Sequence, residues 1–83
     1  MEFHEKLQYL RKQNYWTQEQ LAEKLYVSRT AVSKWESGKG YPNIESLKAI
    51  SKIFGVSIDE LLSSEELIAA AETEHRETLH NMY

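Results

Sequence analysis

A succession of helix-initiating residues, each followed by apolar residues at helical spacing, constrains this chain's fold more than any other feature. Helices are expected to begin at four N-cap residues: Thr17, Ser28, Asn43 and Ser57. Gln20 and Glu60 stand three residues after the first and last of these and complete capping boxes. The chain has only three glycines and one proline, and no run alternates apolar with polar residues as strands do. The sequence therefore predicts an all-α fold.

Five short amphipathic helices are predicted between residues 2 and 62. The first spans about residues 2–13, with Asn14 as the left-handed residue that follows it. Gly38 and Gly55 are expected to end the third and fourth helices in the same way. The residues predicted to face the core are Phe3, Leu7, Leu10, Leu21, Ala22, Leu25, Val32, Trp35, Ile44, Leu47, Ile50, Ile53, Phe54, Ile58, Leu61 and Leu62. Brief connections between these helices predict a compact bundle.

The net charge of −3 is unevenly distributed along the chain. Residues 1–62 hold nine Lys and Arg against eight Asp and Glu, whereas residues 63–83 hold Arg76 against five Glu. Between Arg29 and Lys39 there are three basic residues, and only Glu36 opposes them. The acidity is therefore mostly a property of the C-terminal segment, and the region around the third helix remains compatible with a nucleic-acid partner.

Several classes of protein are disfavoured by what the sequence lacks. It has no cysteine, which excludes a disulfide framework and thiolate zinc sites and is typical of a cytoplasmic protein. It has no signal-like or membrane-spanning apolar run. His75 and His80 are five residues apart, which does not match a helical zinc site, and with His4 they are interpreted as surface residues. Without a phosphate loop or a nucleophile motif, we predict no enzyme activity, cofactor or metal.

The segment Thr17–Gly38, TQEQLAEKLYVSRTAVSKWESG, contains two short helices joined by about three residues. This spacing favours a sharp crossing, and the small Ala22 allows the helices to approach closely, as in a helix-turn-helix unit. Such a unit leaves one face of its second helix free to enter a DNA groove. That face carries Arg29, Thr30, Ser33 and Lys34, whose side chains can contact base edges.

Thr17–Gly38 and the WESGKGYPNIESLKAISKIFGVSIDELL that runs on from Trp35 resemble the Cro and lambda-repressor class of helix-turn-helix domains. This class is also called the xenobiotic-response-element family, and the resemblance covers residues 3–62. It implies a five-helix fold whose third helix enters the major groove of double-stranded DNA. It also implies a bacterial or phage-type transcription regulator, with repression favoured, that binds a palindromic operator as a homodimer.

The resemblance also assigns roles to individual residues. It places Arg29, Thr30, Ser33 and Lys34 at base-reading positions. It gives phosphate-binding roles to Gln18, Ser37 and Lys39. Ser28 is also predicted to bind a phosphate, although it serves equally well as a helix cap alone. Arg11 and Glu36 are expected to form an ion pair between the first helix and the end of the third.

Tyr26 departs from the family pattern, which usually has glycine at this turn. Either Tyr26 adopts a left-handed conformation at a cost of about 1–2 kcal/mol, or the turn differs and the third helix is re-aimed.

The sequence divides into a DNA-binding domain, residues 1–62, and an acidic tail, residues 63–83. Ser63 and Ser64 either break the chain or cap a sixth helix. A thin apolar stripe of Leu67, Ile68, Ala71, Leu79 and Met82 is compatible with a dimerisation helix, and the charged composition with a solvated linker. The family resemblance also allows a following sensory or membrane domain. A protein-binding adaptor is the alternative function.

Overall fold

The structure is a computed structural model that describes residues 1–66 and 68–70. Five helices follow one another: α1 (Phe3–Gln13), α2 (Gln18–Leu25), α3 (Arg29–Glu36), α4 (Ile44–Phe54) and α5 (Ile58–Leu61). Residues 64–66 and 68–70 are also helical, and the described residues include no strand, which confirms the all-α prediction. No helix among them is both long enough and apolar enough to cross a bilayer. Several predictions fall on residues outside the described ones, namely Leu67, Ala71, His75, Leu79, His80 and Met82.

Side-chain caps begin four of the helices where the sequence predicts them. The side-chain oxygens of Thr17, Ser28, Asn43 and Ser57 each accept the backbone N–H three residues later. The capping box of Thr17 is complete, because the Gln20 side chain also accepts the Thr17 N–H at 2.9 Å. At Ser57 the box is only half formed, since the Glu60 carboxylate accepts the Ser57 hydroxyl rather than its backbone N–H.

The first four helices end with the same backbone turn, in which a residue just past the helix donates to the carbonyl five positions earlier. The donors are Trp16, Val27, Lys39 and Val56. This turn requires a left-handed residue immediately before the donor. Gly38 and Gly55 fill that position as predicted, with φ of 78° and 66°, but the other two turns use Tyr15 and Tyr26, with φ of 59° and 58°.

The prediction of a left-handed Asn14 is therefore wrong. Asn14 has φ −91° and ψ 3°, because the turn that ends α1 places the left-handed conformation one residue later, at Tyr15. Tyr15 and Trp16 donate their N–H groups to the carbonyls of Lys12 and Arg11, so these backbone bonds offset part of the strain at Tyr15.

Replacing Tyr26 with glycine is expected to raise the free energy of unfolding by about 0.5–1 kcal/mol. A left-handed residue with a Cβ costs about 1–2 kcal/mol, and the extra freedom of glycine in the unfolded chain offsets part of the gain. The Tyr26 side chain is 96% exposed, so its removal costs little packing. Urea denaturation measures the change. Tyr26→Ala, which retains the Cβ, is the control, and an equal gain in that variant would contradict the strain explanation.

The core lies where the five helices meet. Its buried apolar side chains are Phe3, Leu7, Leu21, Ala22, Leu25, Val32, Trp35, Leu47, Ile50, Leu61 and Leu62. All of these were predicted, and the half-buried Leu10, Ile53, Phe54 and Ile58 pack against them. Ile44 was wrongly predicted to face inward and is 40% exposed. It is the first residue of α4, and helical side chains lean towards the N-terminus, so at this position the side chain projects past the packed part of the helix.

Candidate nucleic-acid interface

A tight turn connects α2 with α3 and sets the direction of α3. Tyr26 adopts the left-handed conformation, Val27 donates to the Ala22 carbonyl at 3.0 Å, and Ser28 caps α3. The side chain of Ala22 is buried, as its predicted role in close helix approach requires. Of the two outcomes considered for Tyr26, the chain accepts the strain and keeps the turn.

The two faces of α3 differ sharply in exposure. Val32, Trp35 and Glu36 are buried towards the rest of the domain. The opposite face consists of Arg29, Thr30, Ser33 and Lys34, which are all exposed. Because positions i, i+1, i+4 and i+5 fall within one arc of a helix, these side chains form a continuous polar surface. The surface carries two positive charges and no acidic group.

A buried ion pair holds α3 against α1. The Arg11 Nε donates to Glu36 Oε2 at 2.7 Å, and its Nη2 donates to Oε1 at 3.0 Å. The side chains are only 11% and 2% exposed. Arg11 also donates to the Trp16 carbonyl at 2.8 Å. Two parallel bonds define the relative orientation of the two groups more closely than a single contact would.

Gln18 is connected to the same ion pair. Its side-chain Nε2 donates to Glu36 Oε1 at 3.2 Å, which holds the amide at the beginning of α2. An amide nitrogen carries two hydrogens, so one remains for another acceptor. The start of a helix also favours an anion through its backbone N–H groups and its dipole. Gln18 is thus oriented where a phosphate oxygen can be bound.

Two open grooves flank the exposed face of α3. The first, here called the α2 groove, is lined by Arg11, Thr17, Gln18, Glu19 and Arg29. The second, called the loop groove, is lined by Ser28, Thr30, Ala31, Lys34, Trp35, Lys39, Gly40 and Tyr41. Together they bring six predicted contact residues into two adjacent depressions. Ser33 and Ser37 are exposed but lie outside both grooves.

The loop after α3, residues 37–41, carries the remaining predicted phosphate contacts. The Lys39 side chain is exposed, and its backbone N–H bonds to the Lys34 carbonyl at 3.1 Å. Ser37 donates its hydroxyl to the same carbonyl at 3.0 Å. A phosphate contact by the Ser37 hydroxyl would therefore require this hydrogen to change partner.

Three aromatic residues, Trp16, Trp35 and Tyr41, are buried or half-buried. Trp35 is buried, and Trp16 is half-buried against Phe54, with ring centroids 5.6 Å apart. Both therefore contribute to packing, which confirms the prediction that Trp35 faces the core. Tyr41 is half-buried, and its hydroxyl donates to Glu66 at 3.4 Å. Burial, together with the nearby carboxylates of Glu66 and Glu2, raises the pKa of Tyr41. A tyrosine hydroxyl is protonated at neutral pH even without this shift, so it can donate to Glu66.

Comparisons with known proteins agree with this architecture. Residues 7–61 match the sequence model of the helix-turn-helix family HTH_3. The transcriptional activator BcrR of Enterococcus faecalis is 72% identical over all 83 residues, which span 41% of that protein. The phage repressor RstR of Vibrio cholerae is 41% identical over 61 residues, 74% of this chain and 54% of that protein. The chain thus spans about half the length of these curated relatives.

Two solved structures have a similar fold. The P22 c2 repressor in complex with a synthetic operator superposes with a TM-score of 0.73 at 35% identity, covering 76% of this chain and 96% of that one. A second structure, of a transcriptional regulator from Listeria innocua, covers 99% of this chain with a TM-score of 0.70 at 29% identity. The predicted lambda-repressor-like bundle is confirmed. The chain belongs to the helix-turn-helix family.

Proposed function

We propose that this chain is the sequence-specific DNA-binding domain of a transcription regulator, with α3 inserted in the major groove of double-stranded DNA. The observation that supports this most directly is the uncovered polar face of α3, since an α-helix fits the major groove and reads it through such side chains. Arg29 and Lys34 can donate to guanine O6 and N7, the methyl group of Thr30 can pack on a thymine methyl, and Ser33 can bond to either.

The flanking grooves suit the two DNA strands on either side of a major groove. Gln18 in the α2 groove, and Ser28 with Lys39 in the loop groove, are proposed to bind phosphates and thereby align α3 with the bases. Ser37 is proposed as a backbone contact at the end of α3. The Ser28 hydroxyl accepts the Ala31 N–H as a cap and keeps its own hydrogen for a phosphate oxygen, so both of its considered roles are compatible.

Gln18→Ala is expected to weaken binding to every DNA sequence by about tenfold, because a hydrogen bond to a charged oxygen contributes about 1.5 kcal/mol. Fluorescence anisotropy with several duplexes measures this. Gln8→Ala, which removes an exposed amide from α1, is the control and is expected to change nothing. A loss confined to one operator would contradict a phosphate role for Gln18, because phosphates carry no sequence information.

The DNA-binding unit is proposed to comprise residues 1–62 and to act as a homodimer on a palindromic operator. In a dimer of this class the two half-sites lie about one helical turn, roughly 34 Å, apart. The names of the two curated relatives include both an activator and a repressor. Base reading by α3 selects the site, whereas the effect on transcription depends on where that site lies at a promoter.

Selection of bound duplexes from a random DNA pool tests the proposal. Recovery of a palindromic motif at near-physiological salt, lost in the Arg29→Ala/Lys34→Ala variant, is the expected result. Binding should also weaken steeply as salt rises, because contacts with phosphates release counterions. Recovery of no motif above background would contradict the proposal and favour a protein-binding adaptor that uses the same fold.

A further inference from the structure

Glu66 is a buried carboxylate that none of the proposed DNA contacts uses. It is 8% exposed and accepts the backbone N–H of Phe3 at 2.9 Å with Oε2. The same oxygen accepts the Tyr41 hydroxyl at 3.4 Å. Its other oxygen, Oε1, accepts the Ser63 N–H at 3.2 Å, and Ser63 in turn caps the Glu66 N–H. Glu66 therefore ties together three parts of the chain that are distant in sequence.

These bonds favour a charged Glu66. Burial by itself would raise its pKa, but the hydrogen bonds from Phe3, Ser63 and Tyr41 outweigh burial and lower it. A carboxylate with several donors is also the natural partner for the positive end of a helix, here the start of α1. Glu66 is thus held in one place by groups that all prefer its ionised form.

The contacts of Glu66 continue into the loop after α3. The rings of Phe3 and Tyr41 lie 6.0 Å apart at an angle of 45°. The His4 imidazole lies over Gly38, where an added Cβ would come within 3.6 Å of its Nδ1. Phe3, His4, Gly38, Tyr41 and Glu66 all line one small cavity between α1 and the loop. The loop that carries Lys39 is therefore packed against the start of α1 and Glu66.

We infer that Glu66 is a positioning residue for the loop after α3, so that the residues following α5 set how well Lys39 reaches the DNA backbone. The inference has a structural step, the positioning of the loop by Glu66, and a functional step, the effect on DNA affinity. Only the functional step rests on the proposed DNA-binding function. It gives the start of the acidic segment a role within the binding domain, through Tyr41 and the N-terminus of α1. A change in the conformation of residues 63–66 would then alter DNA affinity without touching a DNA contact.

The structural step is tested without DNA by recording backbone amide NMR spectra of Glu66→Ala and Tyr41→Phe in the full 83-residue chain. Both variants are expected to shift the amide resonances of Gly38, Lys39 and Gly40. Glu66→Gln retains one oxygen acceptor and is expected to shift these resonances less than Glu66→Ala. Glu65→Ala is the matched control, since it removes an exposed carboxylate one residue away. Loop shifts no larger than those of Glu65→Ala would overturn the inference.

The functional step is tested by the salt dependence of DNA binding, well below the unfolding midpoint of each variant. Glu66→Ala is expected to raise Kd about three- to tenfold relative to Glu65→Ala and to lower the salt slope by about one, which is also the change expected of Lys39→Ala. Combining Glu66→Ala with Lys39→Ala should add little to either single change. Additive losses would overturn the inference, because they would show independent effects.

Two further outcomes remain decisive. If Glu66→Ala does not fold, Tyr41→Phe, which removes a single hydroxyl, decides both steps by the same criteria. If the unaltered chain binds no DNA, the proposed function fails, and the inferred effect on affinity fails with it. The amide shifts would then still decide whether Glu66 positions the loop.

Discussion

Glu36→Ala is expected to lower the free energy of unfolding by about 3–5 kcal/mol, a large share of the stability of a small domain. The substitution leaves the Arg11 guanidinium buried with only the Trp16 carbonyl as a bonded acceptor. It also removes the acceptor of the Gln18 amide and the two hydrogen bonds that join Arg11 of α1 to the end of α3. Urea denaturation followed by circular dichroism measures the loss.

Two control variants show whether the stability lost in Glu36→Ala comes from the unpaired charge of Arg11 or from lost packing. Glu36→Gln keeps the side-chain volume and one acceptor oxygen, so it should lose stability but less than the alanine variant. Arg11→Met/Glu36→Leu removes both charges together, and replacing a buried pair by apolar groups is often neutral. The double variant is therefore expected to be more stable than Glu36→Ala. If it were less stable, the penalty would come from lost packing rather than from an unpaired charge.

Arg29→Ala is expected to raise the Kd for the preferred operator by about 5–160-fold, corresponding to about 1–3 kcal/mol. Arg29 stands at the start of α3, exposed and beside Gln18 in the α2 groove. In this place its guanidinium can donate two hydrogen bonds to guanine. The loss should therefore fall mainly on one base pair in each half-site, and preference at that position should relax.

Competition binding against operators substituted at each position measures this change. Lys52→Ala, which removes one exposed positive charge from α4, controls for net charge and should affect all sequences weakly and alike. If Arg29→Ala weakened all sequences equally, Arg29 would be a phosphate ligand rather than a base reader. In that case α3 would have to be rotated in the major groove so that Ser33 and Lys34, rather than Arg29, face the bases.

Local sequence patterns were sufficient to predict where the helices begin. Thr17, Ser28, Asn43 and Ser57 bond to N–H groups three residues away, so their effect needs no information from the rest of the fold. The buried apolar positions of α1 to α3 also followed from helical spacing. The polar face of α3 could be predicted for the same reason, because a buried Val32 and Trp35 leave Arg29, Thr30, Ser33 and Lys34 on the other side.

Other features depend on neighbours that are distant along the chain, and here sequence patterns were weaker. The position of Ile44 depends on where the packed part of α4 begins. The pairing of Arg11 with Glu36 was expected only from the family resemblance, because no local spacing connects residues 25 positions apart. The bond from Gln18 to Glu36 was not predicted at all. It arises because α1, α2 and the end of α3 converge on one carboxylate.

Glu66 is the clearest example of a residue whose long-range contacts no local sequence pattern predicts. In the sequence it is one of two adjacent glutamates in an acidic segment, and nothing local distinguishes it from Glu65. The fold buries the Glu66 carboxylate against Phe3 and Tyr41 and leaves that of Glu65 exposed.

By itself, the amino-acid sequence determined the class of fold, the helix starts and the polar face of α3, because short-range hydrogen bonds and helical periodicity act within a few residues. Only the tertiary structure decided that Tyr15 and Tyr26 bear left-handed strain, that Gln18 is held by a buried ion pair, and that Glu66 reaches the loop carrying Lys39. These outcomes depend on which groups, distant along the chain, come into contact when the helices pack. That packing imposes the strained turns and supplies the hydrogen-bond partners of the buried charges.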